Sequence, residues 1–114
     1  MAKKRISAVD GRAYLEGLPD SKDMAVRYLL QVLEDQHPGG TIELRVPPFG
    51  AVQLVGGMNH RRGTPPNVVE LDPDSFLDLA FGKVSWEDLG SRGKLLASGA
   101  RAQDLSDLFP LDQF

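Results

Sequence analysis

Thr41-Ile42-Glu43-Leu44-Arg45-Val46 alternates apolar and polar side chains without a break. Successive side chains of a strand point to opposite faces, so this stretch reads as a β-strand with one dry face and one wet face. Pro47-Pro48-Phe49-Gly50 then turns the chain, and Ala51 to Val55 reads as a second strand, completing a hairpin. Gly56-Gly57 ends it, Met58 to Pro66 reads as a loop, and Asn67 to Leu71 reads as a third strand. Strands this close in sequence are most economically joined as an antiparallel meander.

Upstream of the hairpin the period changes. Ala25, Tyr28, Leu29, Val32 and Leu33 recur at spacings of three and four, which predicts a helix from Ser21, as its cap, to about Asp35. His37-Pro38-Gly39-Gly40 stops it. A shorter helix is predicted over Val9 to Leu18, with Asp10 placed to cap it and Gly17 near its end. Downstream, Asp72-Pro73-Asp74-Ser75 supplies a cap, a proline at the first helical position and an acid in the first turn. Phe76, Leu77, Leu79 and Ala80 give that helix its apolar side, and Gly82 closes it. Ser85 heads another short helix carrying Trp86 and Leu89, Leu95 to Ser98 reads as a last strand, and Ala102 to Phe109 as a terminal helix.

The whole is 114 residues, a size that predicts one domain over residues 1–114, with residues 1–8 loose. Hydrophobic residues are 41% and charged residues 25%, an ordinary globular mix that excludes a disordered tail or a coiled-coil rod. There is no cysteine, which removes disulfides, thiolate nucleophiles and cysteine-ligated zinc. Met1-Ala2-Lys3-Lys4-Arg5 is basic, but no signal-peptide core follows it and no apolar run is long enough to span a membrane. The expected location is the cytoplasm.

Catalytic equipment is sparse. His37 and His60 each lack a second histidine at ligand spacing, so no metal site is expected. Asp72, Asp74 and Asp78 lack the glycine and terminal glutamate of a calcium loop, and a helix start accounts for the first two. Neither a Gly-x-Ser-x-Gly elbow nor a glycine-rich phosphate loop is present. No enzyme activity and no cofactor are expected.

Two features are left for binding. No acid occurs between Glu43 and Glu70, whereas Arg45, Arg61 and Arg62 do, so Asn59 to Asn67 makes a locally positive neighbourhood in a chain of net charge -3. Arginine forks suit carboxylates and phosphates, so Arg45, His60, Arg61 and Arg62 are candidates for an anionic head group. A solvated turn whose arginines pair with nearby acids explains the same residues. Nucleic acid is not expected, since no aromatic residue is interleaved with these cations to stack bases. The second feature is apolar: Val46, Leu54, Val69, Leu71, Phe76, Leu79, Trp86 and Leu95 fall where short helices cover the sheet. Such residues form either a dry core or the wall of a ligand cavity.

Leu71-Asp72-Pro73-Asp74-Ser75-Phe76-Leu77-Asp78-Leu79-Ala80-Phe81-Gly82-Lys83, then Ser85-Trp86, then Gly93-Lys94-Leu95-Leu96-Ala97-Ser98-Gly99 resembles the sterol carrier protein superfamily. Arg45-Val46-Pro47-Pro48-Phe49-Gly50-Ala51-Val52-Gln53 and Arg62-Gly63-Thr64-Pro65-Pro66-Asn67-Val68-Val69-Glu70 are similar to phrases of its small bacterial members. The C-terminal domain of mycothiol-dependent maleylpyruvate isomerases is similar in outline. Their metal-bearing domain is a separate N-terminal region, so that activity is not carried over to these residues.

The resemblance implies an α+β fold, a curved, mainly antiparallel sheet of about five strands with helices packed on one face. It also implies non-enzymatic binding of a fatty acid, acyl group or other lipid in an apolar cavity between sheet and helices. The alternative is a protein-interaction module with a closed core, using the basic loop 59–67. The expected partners are a hydrophobic small molecule and, for the alternative, a protein or a second copy of the chain at an exposed sheet edge.

Overall fold

A computed structural model describes residues 4–56 and 63–114 of the chain. Its elements run α1 (Ala8–Glu16), α2 (Lys22–Gln36), β1 (Pro38–Val46), β2 (Gly50–Leu54), β3 (Asn67–Glu70), α3 (Pro73–Ala80), α4 (Trp86–Ser91) and β4 (Leu96–Ser98). A 3-10 helix over Ala102–Leu108 stands where the terminal helix was expected. The fold is α+β. Four strands among the described residues form one sheet in the order β2-β1-β3-β4, one strand short of the number the resemblance implies.

Two of the three strand pairings are antiparallel, but the meander is corrected: β3 lies beside β1, in parallel, not beside β2. Leu54 at the end of β2 and Asn67 at the start of β3 both sit opposite Ile42. The connection therefore passes from one side of β1 to the other, about 10 Å at ordinary strand spacing, which a connection of that length spans easily. The start of β1 is irregular, because the register with β2 slips between Pro38 and Ile42. Gly39 makes this possible. A Cβ there would sit 1.7 Å from the Val55 carbonyl oxygen, so only glycine lets the two backbones come so close.

The alternation in the hairpin holds. Ile42, Leu44, Val46, Leu54 and Val69 are fully buried, whereas Glu43 and Arg45 point to the other side. α2 packs against β1 and β2, and the 3-10 helix against β3 and β4. Both lie on the Ile42 side, since buried Asn67, in register with Ile42, accepts the Arg101 N–H at 2.8 Å. Among the described residues, helices thus cover one face of the sheet.

Caps explain most helix starts. Asp72 Oδ2 accepts the Ser75 N–H at 3.0 Å, and Ser85 with Asp88 forms a reciprocal capping box. Ser7, not Asp10, caps α1, accepting the Asp10 N–H at 3.1 Å. Ser21 precedes α2, but its hydroxyl donates to the Tyr14 carbonyl and so ties α2 to α1. Within residues 1–8, which were expected to be loose, Arg5 and Ile6 bond to α2. Gln31 clamps the Ile6 backbone through bonds of 2.9 and 2.8 Å, and Arg5 donates twice to Asp35, at 3.2 and 2.7 Å.

Candidate functional site

Of the eight apolar residues singled out as cavity wall, Val46, Leu54, Val69, Leu71, Phe76, Leu79 and Trp86 are buried in one hydrophobic cluster, and Leu95 packs partly buried against it. Phe76 sits edge-on to Phe109, with ring centroids 6.3 Å apart. The structure brings these residues together as packed core. Arg45 lies on the opposite face of the sheet from them, with Nε donating to Glu43 at 2.5 Å. It therefore cannot hold the head of a ligand lodged among Val46, Leu54 and Phe76. His60, Arg61 and Arg62 lie outside the described residues.

A cleft lies elsewhere, where the helices meet the β2 edge of the sheet. It has a volume of about 750 Å³, within the usual range for small-molecule sites. Three stretches far apart in sequence build it: residues 4–14, one stripe of α2, and the hairpin turn running into β2. Ile6, Tyr14, Leu30, Phe49 and Val52 give it apolar surface. Met24, Arg27, Gln31 and Glu34 recur at helical spacing along its α2 wall, about 15 Å from end to end. The turn is fixed by the Phe49 N–H, which donates to the Val46 carbonyl at 2.9 Å.

The charges in this cleft are unequally engaged. Arg5 and Asp35 neutralise each other, and the hydrogen bond from Arg5 holds the Asp35 carboxyl below its ordinary range while Asp35 raises the guanidinium. Arg27 differs. Its Nε donates to the Phe49 carbonyl oxygen at 3.2 Å, and no carboxylate lies within ion-pair distance of it among the described residues. The arrangement is a mixed trough, apolar at Ile6, Tyr14, Phe49 and Val52 and charged at Lys4, Arg5, Asp10, Arg27 and Glu34, with Arg27 tethered to the Phe49 turn. Sequence reasoning missed it. The helical stripe of α2 was readable, but that Arg27 has no acidic partner is a fact of tertiary structure.

A second, smaller cleft of about 590 Å³ lies between the end of α3, the start of α4 and the 3-10 helix, and takes in Leu79 and Trp86. Glu87, Asp88 and Asp107 line it against a single Lys83, a poor setting for an anion. The Trp86 indole N–H is already taken by Gln103 at 2.7 Å. Among the described residues, no three His, Asp or Glu side chains converge as metal ligands, and no helix is long and apolar enough to cross a membrane.

A family model described as "Bacterial SCP ortholog" matches residues 20–111, which takes in α2, the hairpin and everything to the end of the 3-10 helix, but not residues 4–14 of the cleft. No curated protein matches the chain.

Proposed function

The chain belongs to the bacterial SCP ortholog family, a sterol carrier protein-like group, and from that premise we propose that it binds a hydrophobic ligand without transforming it. The ligand class is a fatty acid, an acyl group or another lipid, and the setting is the cytoplasm. The single observation that carries this reading is the cleft of about 750 Å³ between α1, α2 and the β2 edge, with Ile6, Tyr14, Leu30, Phe49 and Val52 in its wall. An apolar chain laid there leaves water and gains about 0.8 kcal/mol for each methylene fully buried. The site is thus between helices and sheet, as the resemblance implies, but at the sheet edge. Its wall is not the set of residues picked out by their apolar pattern.

Burial of those residues favours a second reading. With Val46, Leu54, Val69 and Phe76 at 0% exposure, the core is closed, as expected of a protein-interaction module. Such a module would use the basic loop 59–67, of which residues 59–62 lie outside the described residues.

Native mass spectrometry of gently purified protein, followed by organic extraction, separates the two. A stoichiometric adduct that extraction identifies as a lipid is the expected result. Saturating that lipid should also raise the melting temperature, since only the folded chain binds it. Protein that comes out clean, and that binds no acyl or sterol probe, overturns the carrier reading. A partner captured only when residues 59–67 are intact would then establish the interaction module.

A further inference from the structure

Resting on the hydrophobic-ligand reading, we propose that Arg27 selects the head group: it holds the carboxylate of a single-chain amphiphile at the Met24 end of the cleft, with the chain running toward Ile6. The cleft contains the cations Lys4, Arg5 and Arg27 and the acids Asp10 and Glu34. They are not spread evenly. Arg5 is spent on Asp35, and Glu34 is close enough to Arg5 to favour its charge, so that end of α2 is compensated. Arg27 is seven residues before Glu34, about 10 Å away along the helix. Asp23, one turn before Arg27 on α2, makes no ion pair with it, and Asp10 is one turn from Tyr14 toward the start of α1.

Arg27 is also oriented in advance. Its Nε donates to the Phe49 carbonyl at 3.2 Å, while among the described residues Nη1 has only the weak acceptor Met24 Sδ at 4.0 Å. The outer edge of the fork is thus free for a carboxylate, beside Phe49 and Met24. A guanidinium held in place loses less freedom on binding than a free one, and its planar fork matches two carboxylate oxygens. Chain and head are therefore read by different residues, Ile6, Leu30 and Val52 on one side and Arg27 on the other.

The test is displacement of the neutral fluorescent probe N-phenylnaphthylamine by dodecanoate and by dodecanol, with folding followed by circular dichroism. Wild-type protein should favour dodecanoate. Arg27→Gln should weaken dodecanoate by roughly two- to fivefold, the value of a charge pair at an exposed site, and leave dodecanol nearly unchanged. Arg27→Lys, which keeps the charge and loses the fork, should fall between. A purely structural role through the Phe49 carbonyl would weaken both probes equally, and that result overturns the assignment. So does a dodecanoate-to-dodecanol ratio that is unmoved in Arg27→Gln but collapses in Lys4→Gln. Wild-type protein that binds both probes without preference overturns the head-group inference alone. Protein that binds neither overturns the hydrophobic-ligand reading as well.

Discussion

A methyl group added at Gly11 would have its Cβ 2.3 Å from Tyr28 Cε1, and Tyr28 is itself buried against the core. Alanine at this position gains about 1 kcal/mol of helix propensity in α1. It also forces the two helices apart or drives the ring off its rotamer, which costs about 1–3 kcal/mol. The clash wins, so Gly11→Ala should lower the urea midpoint, and an unchanged or higher midpoint would show that α1 is not held this closely to α2. Asp72 gives a second prediction at the same scale. Burial alone would push its carboxyl up, but hydrogen bonds from the Ser75 hydroxyl and N–H outweigh that, and the net shift is downward. A carboxyl lowered in the folded state stabilises the fold fully above its unfolded value, about 3.9, and this contribution is lost as pH falls through the lower folded value. Asp72→Asn keeps a capping oxygen without the charge. Its stability gap to wild type should therefore be present in urea melts near neutral pH and shrink once the pH falls below about 4.

At the scale of elements, the alternation of residues 41–46 and the three-and-four spacing of residues 25–33 carried most of the fold. Both are local patterns that survive because each element buries one face against a single core. What the pattern could not supply was strand neighbourhood. Val68 and Val69 alternate in burial whichever strand they pair with, so the apolar pattern of β3 does not separate a meander from the parallel pairing with β1. The choice is written instead in Asn67. Its Nδ2 donates to the Thr41 carbonyl at 2.9 Å and its Oδ1 accepts the Arg101 N–H at 2.8 Å, so one buried amide joins β3 to β1 and to the start of the 3-10 helix. Asn67→Ala leaves both backbone groups without their partner, at about 1–3 kcal/mol for each one buried. Asn67→Asp keeps an acceptor for Arg101 but turns oxygens toward the Thr41 carbonyl, and should be no better tolerated. Amide hydrogen exchange should quicken in β3 and at Arg101 together; a change confined to β3 would mean that the two are not coupled.

For the molecule as a whole, the site was less legible than the fold because it is made of pieces that no local pattern connects. Phe76 and Trp86 stand out in a sequence as large apolar residues, yet a core and a cavity wall have the same composition, and here they are core. The cleft takes one wall from residues 4–14, another from α2 and a third from the hairpin, and no one of these is conspicuous alone. On the proposed function, stability and ligand binding belong to different parts of the chain, and this can be tested by a pair of substitutions. Phe76→Leu, deep in the core at 0% exposure, should cost about 1 kcal/mol of stability while leaving the affinity for dodecanol where it was. Ile6→Ala, in the cleft and only partly buried, should cost stability less than a core residue would, yet weaken dodecanol by several-fold as apolar wall is lost. The reverse outcome, in which Phe76→Leu alters dodecanol binding and Ile6→Ala does not, would move the ligand from the sheet edge into the core around Phe76. Arg27 would then have no head group to hold, because it faces the Phe49 turn at the sheet edge and not the interior beneath Phe76.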